Sequence, residues 1–205
     1  CLELINRRDK IMEKRDLDII TDSAVNWQMY LNCTVLITGA TGRLGRYILE
    51  TLVDMDLKYN LNMRILGLAR SEEKAREVFD NVLDLPNVEF LYQDINVPIN
   101  YNKKVDYIFH TAGPAAPKDY ESPVETLWAH VNGTHNVMEC ARLNRTKRVF
   151  YVSTVEIYGE WKNESKIKEN DMGIMQHLNS RACYPEAKRL CETMLSTYKR
   201  EYGIS

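Results

Sequence analysis

Gly39, Gly42 and Gly45 stand between the apolar run Thr34-Val35-Leu36-Ile37 and a helical stretch through Arg46-Tyr47-Ile48-Leu49-Glu50-Thr51-Leu52-Val53. Few folds accept that order. In the turn Thr38-Gly39-Ala40-Thr41-Gly42-Arg43-Leu44-Gly45, the first glycine permits a tight reversal of the chain. The second lets the backbone approach a ligand closely, and the third lets the helix pack close to the sheet. A helix that starts here aims its unpaired N–H groups and partial positive charge at the turn, which suits the pyrophosphate of a dinucleotide. Glycine spacing alone is weak evidence; its place between strand and helix in a βαβ unit is the confirming context.

The rest of the chain continues that alternation. Further strands are expected at Met63–Ala69, Val88–Tyr92, Val105–His110 and Arg148–Ser153. Between them the pattern predicts helices from Glu72 to Leu83, with Ser71 as N-cap, from Pro123 to Leu143, and from Tyr184 to Tyr202. Strands separated by helix-length segments imply parallel pairing with right-handed crossovers. Continuous hydrophobicity in the first and fourth strands implies a sheet covered on both faces. The fold class is therefore α/β, a Rossmann-type doubly wound parallel sheet, occupying residues 31–205. Residues 1–30 contain no Gly or Pro and are expected to be an N-terminal extension, helical in pieces, lying against the sheet domain.

Composition narrows the function classes. With 205 residues, 44% hydrophobic and 27% charged, the chain suits one globular α/β domain. A net charge of -2 leaves no electrostatic footprint for nucleic acid. No apolar run approaches the ~18 residues a membrane crossing needs, and an N-terminus carrying Arg7, Arg8, Lys10 and Arg15 does not read as a signal peptide. The five cysteines (Cys1, Cys33, Cys140, Cys183, Cys191) form no CxxC pair and neighbour no His at metal-ligand spacing. Reduced, buried thiols and a cytoplasmic location are expected, with no metal site and no membrane or nucleic-acid partner. His110, His130, His135 and His177 are assigned to structure or solvent.

The spacing Thr-Gly-x-x-Gly-x-x-Gly resembles that of the short-chain dehydrogenase/reductase superfamily, in its extended branch of nucleotide-sugar epimerases, dehydratases and decarboxylases. The resemblance runs over residues 34–205. It implies that the turn residues Gly39, Thr41, Gly42, Arg43, Leu44 and Gly45 bind NAD(P). It makes Asp94 the adenine-contacting acid, and sets Ile95, Thr111, Ala112, Gly113, Asn132 and Val152 along the cofactor. Asn132, in Asn132-Gly133-Thr134, matches the signature beside the active site. Val152 leads into the catalytic segment Ser153-Thr154-Val155-Glu156-Ile157-Tyr158-Gly159. Tyr184-Pro185-Glu186-Ala187-Lys188 is similar to the family's Tyr-x-x-x-Lys pair, which serves both cofactor binding and catalysis.

That last spacing has a chemical reason of its own. Residues i and i+4 share a helix face. Free tyrosine, with a pKa of about 10, is a poor base at neutral pH, and a neighbouring ammonium favours its phenolate. Such a tyrosine can take the proton of a substrate hydroxyl while the same carbon is oxidised. The resemblance places Thr154 to hydrogen-bond that hydroxyl.

Arg181-Ala182-Cys183-Tyr184, Arg189, Glu192-Thr193-Met194 and the Thr154-x-Glu156 pattern are most similar to UDP-glucuronate decarboxylases (UDP-xylose synthases). The stretch Gly113-Pro114-Ala115-Ala116-Pro117 with Tyr120 and Pro123 is similar to their substrate loop. Val155 stands where sugar 4,6-dehydratases carry an Asp, which counts against dehydration. The implied activity is oxidation and return at sugar C4 in polysaccharide precursor synthesis, with decarboxylation of a nucleotide sugar as the expected outcome and 4-epimerisation or 4,6-dehydration as alternatives. An NAD(P)-binding regulatory protein without catalysis is the competing class.

Two departures shape the expectations. The second strand ends in Ala69-Arg70-Ser71 rather than in the acid usual for NAD; Arg70 suits a 2′-phosphate and would favour NADP. The decarboxylase resemblance favours NAD, and the cofactor is left as NAD(P). The chain also ends at Tyr202-Gly203-Ile204-Ser205, where the family begins strand six, so the substrate-binding C-terminal part is expected to be missing and the fragment to be catalytically deficient. By analogy the helices at 123–143 and 184–202 are expected to form a homodimer interface.

Overall fold

In the computed structural model, which describes residues 19–20, 23–115, 121–160 and 166–205, the strand preceding the glycine turn lies at the centre of the sheet. This is β1 (Thr34–Thr38), joined by β2 (Arg64–Ala69), β3 (Val88–Tyr92), β4 (Tyr107–His110) and β5 (Arg148–Tyr151). All pairings are parallel, and the strand order is β3-β2-β1-β4-β5. The chain runs outward from β1 through β2 to β3, then crosses back to β4 on the other side. That reversal opens a crevice beyond the C-terminal ends of β1 and β4, where ligands of open α/β sheets bind.

Burial explains the continuous hydrophobicity. Val35, Leu36 and Ile37 are each 0% exposed. Val35 and Ile37 pack with Leu49, Leu52 and Val53 of α1 (Arg43–Tyr59) and Phe79 of α2 (Glu72–Phe79). Leu36 packs with Val137, Met138 and Ala141 of α3 (Pro123–Asn144) on the opposite face. Successive side chains of a strand point to opposite faces, so a sheet covered twice needs apolar residues at every position. Each of these side chains other than Ala141 contributes about 1.5–3 kcal/mol by leaving water. The last helix, α4 (Cys183–Tyr202), packs along α3.

Local signals set most of the boundaries. The Ser71 hydroxyl accepts the Lys74 N–H at 3.2 Å, and Pro123 opens α3. α1, α3 and α4 end in left-handed residues, Asn60, Arg145 and Gly203.

Several boundaries depart from the expected ones. α1 is longer at both ends than the stretch Arg46–Val53. α2 stops at Phe79 rather than Leu83, because Asp80 takes a φ of +38° and the chain continues as a 3-10 turn, Asp80–Asp84. β2 starts one residue later than expected, at Arg64. β4 starts at Tyr107 rather than Val105: the Asp106 carboxylate accepts the Thr34 N–H at 3.0 Å and pairs with Lys104 and Lys147. β5 ends at Tyr151 rather than Ser153.

Of the N-terminal extension, residues 1–18 and 21–22 lie outside the described residues. Trp27–Tyr30 form a 3-10 turn whose buried Tyr30 ring meets Tyr107 at 4.9 Å between centroids. The four described cysteines, Cys33, Cys140, Cys183 and Cys191, are buried and free.

A buried polar chain crosses the middle of the fold. His110 on β4 meets the Thr38 hydroxyl through Nδ1 at 2.7 Å and the Thr134 hydroxyl through Nε2 at 3.1 Å. Burial, with smaller contributions from Lys188 and His130, pushes the His110 pKa down to about 3. An unfolded histidine titrates near 6.5, so below that pH the unfolded chain takes up a proton that the folded chain refuses. This part of the stability falls as the pH drops from about 6.5 towards 3, by up to about 1.4 kcal/mol per pH unit. Urea midpoints measured between pH 7 and pH 4 are expected to fall less steeply for His110→Gln than for the wild-type chain.

Candidate active site

The glycine turn is tight because its own backbone leaves no room. Gly39 has a φ of +66°, and a Cβ there would lie 2.8 Å from the Cα of Ala112 in the loop after β4. A Cβ on Gly45 would meet the Gly39 carbonyl and lie 2.9 Å from the Ala40 Cα. Gly42 differs: it is exposed, and a Cβ would meet only the Gly39 carbonyl, at 3.1 Å. Gly39 and Gly45 thus hold the turn against β4 and α1, whereas Gly42 leaves its outer side open. α1 begins directly after Gly42, with no side-chain cap and no acidic residue in its first turn. Free N–H groups and an uncompensated helix dipole at an open glycine fit a dinucleotide pyrophosphate. Thr41 is half-buried there, and Arg43 and Leu44 are exposed.

The loop after β4 is fastened to β1. The Thr111 hydroxyl donates to the Thr38 carbonyl at 2.7 Å, and the Ala112 N–H donates to the Thr38 hydroxyl at 3.3 Å. Arg70 and Asp94 are exposed just beyond the C-terminal ends of β2 and β3, and the Asp94 carboxylate accepts the Asn96 N–H at 2.8 Å. Ile95 is instead a core residue. A Cβ on Gly133 would lie 2.9 Å from its side chain, and its carbonyl accepts from Asn136 at 2.8 Å.

On the other side of the crevice, Tyr184 and Lys188 lie on one face of α4, 7% and 6% exposed. The Lys188 ammonium donates to the Val152 carbonyl at 2.7 Å, directly after β5, and stands 5.9 Å from the centroid of the Tyr184 ring. Burial lowers its pKa to about 8. The Thr154 hydroxyl accepts the Glu156 N–H at 3.3 Å and opens the 3-10 turn Val155–Tyr158. The Glu156 carboxylate pairs with Arg181 at 2.7 Å, and the Arg181 guanidinium lies 6.0 Å from the Tyr184 ring centroid. This pair borders a cleft of about 260 Å³ that also takes in Gly159, Ile174, Gln176 and Pro185. An antiparallel bridge between Glu160 and Ile174 folds the returning chain over it.

Besides Ile95, Asn132 is a predicted site residue that the structure sets apart from the others. It is exposed on α3, on the side away from the buried His130, Thr134 and Met138. On that buried face stands His130, which the sequence alone assigns to structure or solvent. It is 1% exposed, and its ring lies 5.3 Å from the Tyr184 ring, centroid to centroid, at 59°. Residues 116–120, which include Ala116, Pro117 and Tyr120 of the expected substrate loop, lie outside the described residues. Among the described residues no group of His, Cys, Asp and Glu could hold a metal ion, and no helix is long and apolar enough to cross a membrane.

Comparison with known proteins gives one pattern. The profile of the NAD dependent epimerase/dehydratase family matches residues 35–205. UDP-glucuronic acid decarboxylase 3 of Arabidopsis thaliana is 29% identical over 174 residues, 84% of this chain and 48% of that protein. UDP-glucuronic acid decarboxylase 1 of Danio rerio is 30% identical over 171 residues, 83% of this chain and 38% of that protein. The chain therefore spans about half the length, or less, of the curated relatives it matches. Among solved structures, the UDP-N-acetylglucosamine 4-epimerase of Methanobrevibacter ruminantium M1 superposes with a TM-score of 0.69 at 21% identity, over 85% of this chain and 53% of that one. The UDP-glucuronic acid 4-epimerase of Bacillus cereus, in complex with NAD, gives 0.62 at 18%, over 83% and 54%. These likenesses establish the fold.

A buried lysine costs stability in proportion to its charge. In the unfolded chain Lys188 titrates near 10.5, in the folded chain at about 8. Between these values the unfolded state holds a proton that the folded state has released, so stability rises with pH across that window. Lys188→Met removes this dependence. The variant's advantage in urea midpoint over the wild type is expected to be largest near pH 7 and to shrink as the pH rises from about 8 to 10.

Proposed function

The chain belongs to the NAD-dependent epimerase/dehydratase family, and from that premise we propose that it acts on a nucleotide sugar by transient oxidation at sugar C4, with decarboxylation of UDP-glucuronate as the reaction. The observation that carries the reading is a line of contact across the crevice. The glycine turn touches the loop after β4 at Ala112, the next residue of that loop abuts His130, and His130 packs on Tyr184 beside Lys188.

The turn residues Gly39, Thr41, Gly42, Arg43, Leu44 and Gly45, with Thr111, Ala112, Gly113 and Val152, would hold the dinucleotide, and Arg70 and Asp94 would flank its adenosine end. Bound there, a nicotinamide cofactor supplies the hydride acceptor. Tyr184 takes the proton from the sugar hydroxyl, and the Lys188 ammonium balances the charge that its oxygen carries as a base. Thr154 hydrogen-bonds the same oxygen of the sugar. Glu156 completes the Thr-x-Glu pattern at the mouth of the cleft. This pattern and the decarboxylase relatives support decarboxylation over epimerisation. Val155, next to Thr154 and without a proton to donate, weighs against dehydration.

NAD is the favoured cofactor, and mass spectrometry of the dinucleotide released from the purified protein distinguishes it from NADP. Exposed apolar residues on α3 and α4, Val124, Trp128 and Leu190, support a homodimer through these helices. Free, buried cysteines support a reducing compartment, the cytoplasm.

Incubation of the full-length protein with UDP-glucuronate is expected to release CO2 and a UDP-pentose. Tyr184→Phe is expected to lower that turnover by about 100-fold or more while the cofactor stays bound. Finding neither CO2 nor pentose would rule out the decarboxylase reading. Unchanged turnover in Tyr184→Phe would remove Tyr184 from the chemistry.

A further inference from the structure

We propose that His130 is a positioning residue: its imidazole fastens the loop after β4 to the ring of Tyr184, so that the cofactor side and the proton-transfer side keep one relative geometry. The proposal rests on the reading above that residues 111–113 line the dinucleotide.

His130 sits where α3 passes between that loop and α4. A purely apolar contact to Tyr184 would need only a leucine or phenylalanine at this place. The imidazole adds a directional bond, since Nε2 lies 2.9 Å from the Pro114 carbonyl. A carbonyl only accepts, so Nε2 carries the hydrogen. The Cε1 edge of the ring, between the two nitrogens, faces Gly113, whose φ is +149° and whose absent Cβ would lie 2.6 Å from Nδ1 and 3.2 Å from Nε2. The loop therefore rests its bare backbone on one edge of the imidazole and is hydrogen-bonded to it at the next residue.

The Tyr184 ring occupies another side, at 5.3 Å and 59°, within the tilted range that aromatic pairs prefer. The backbone at this level is pinned as well. The Cys191 thiol of α4 donates to the His130 carbonyl at 3.3 Å, about two turns along the helix from Tyr184. Loop, α3 and α4 thus meet at one side chain. A shift of any of them would break the Pro114 bond, open the ring contact or press Gly113 into the imidazole.

The test compares His130→Phe, which keeps a ring and loses the donor, with His130→Gln, which loses the ring and can still donate. Circular dichroism follows the fold, and titration of NADH fluorescence follows cofactor affinity. His130→Phe is expected to bind NADH about tenfold more weakly with its helix content unchanged, and His130→Gln to stay within about threefold of wild type. In 15N-labelled wild-type protein, His130 is expected as the Nε2–H tautomer, with ring signals that shift when NADH is added. Wild-type affinity in His130→Phe, equal losses in both variants, or an Nδ1–H tautomer would overturn the proposal. If a variant fails to fold, the tautomer and its response to NADH decide. NADH binding that ignores His130 overturns this proposal alone, whereas no binding by the wild-type chain overturns the cofactor reading and this proposal with it.

Discussion

Thr38, at the end of the central strand, is fully buried and bonded in three directions. Its hydroxyl meets His110 and the Ala112 N–H, and its carbonyl accepts from Thr111. These bonds hold the loops after β1 and β4 in contact at the point where the strand order reverses. The contact is close enough that Gly39 has no space for a side chain. The path of the glycine turn, the start of α1 and the width of the crevice all follow from it. A buried hydroxyl with fewer partners would cost about 1–3 kcal/mol, so the arrangement is favourable only when complete.

The same region carries the costs of a functional site. Lys188 is buried with its charge, held by one carbonyl and two aromatic rings. His110 is kept neutral beside it, which avoids a second cation in the same layer. The hydroxyl of Ser153 is buried without a hydrogen-bond partner among the described residues, immediately before Thr154. Groups arranged this way stabilise the folded chain less than apolar residues would. Their concentration at the C-terminal ends of β4 and β5 fits a site where electrostatics is set for a ligand rather than for the fold.

Much of this was legible in the sequence, for a physical reason: the informative features are local. The glycine turn is a single strand–helix junction, Tyr184 and Lys188 are one helical turn apart, and the covered strands announce themselves as unbroken apolar runs. What was not legible depends on partners far along the chain. The start of β4 is set by Asp106 reaching Thr34, and Glu156 is paired with Arg181 across 25 positions. The break at Asp80 carries neither Gly nor Pro to mark it. The facing of α3, by contrast, follows from spacing alone. Stepping back by four from the buried Met138 gives Thr134, His130 and Thr126, all buried, while Asn132 falls about 200° from His130 around the helix axis.

That facing makes α3 a ruler. Asn136 holds the carbonyl of Ile95 after β3, Thr134 holds His110 of β4, and His130 meets Pro114 and Tyr184. The distance from the Ile95 end of the crevice to its Tyr184 end is therefore measured along one rigid rod, about 9 Å from residue 130 to residue 136. Insertion or deletion of a single residue between them would rotate one set of contacts by about 100° against the other. The contacts at both ends of this segment therefore depend on the spacing along the helix being kept.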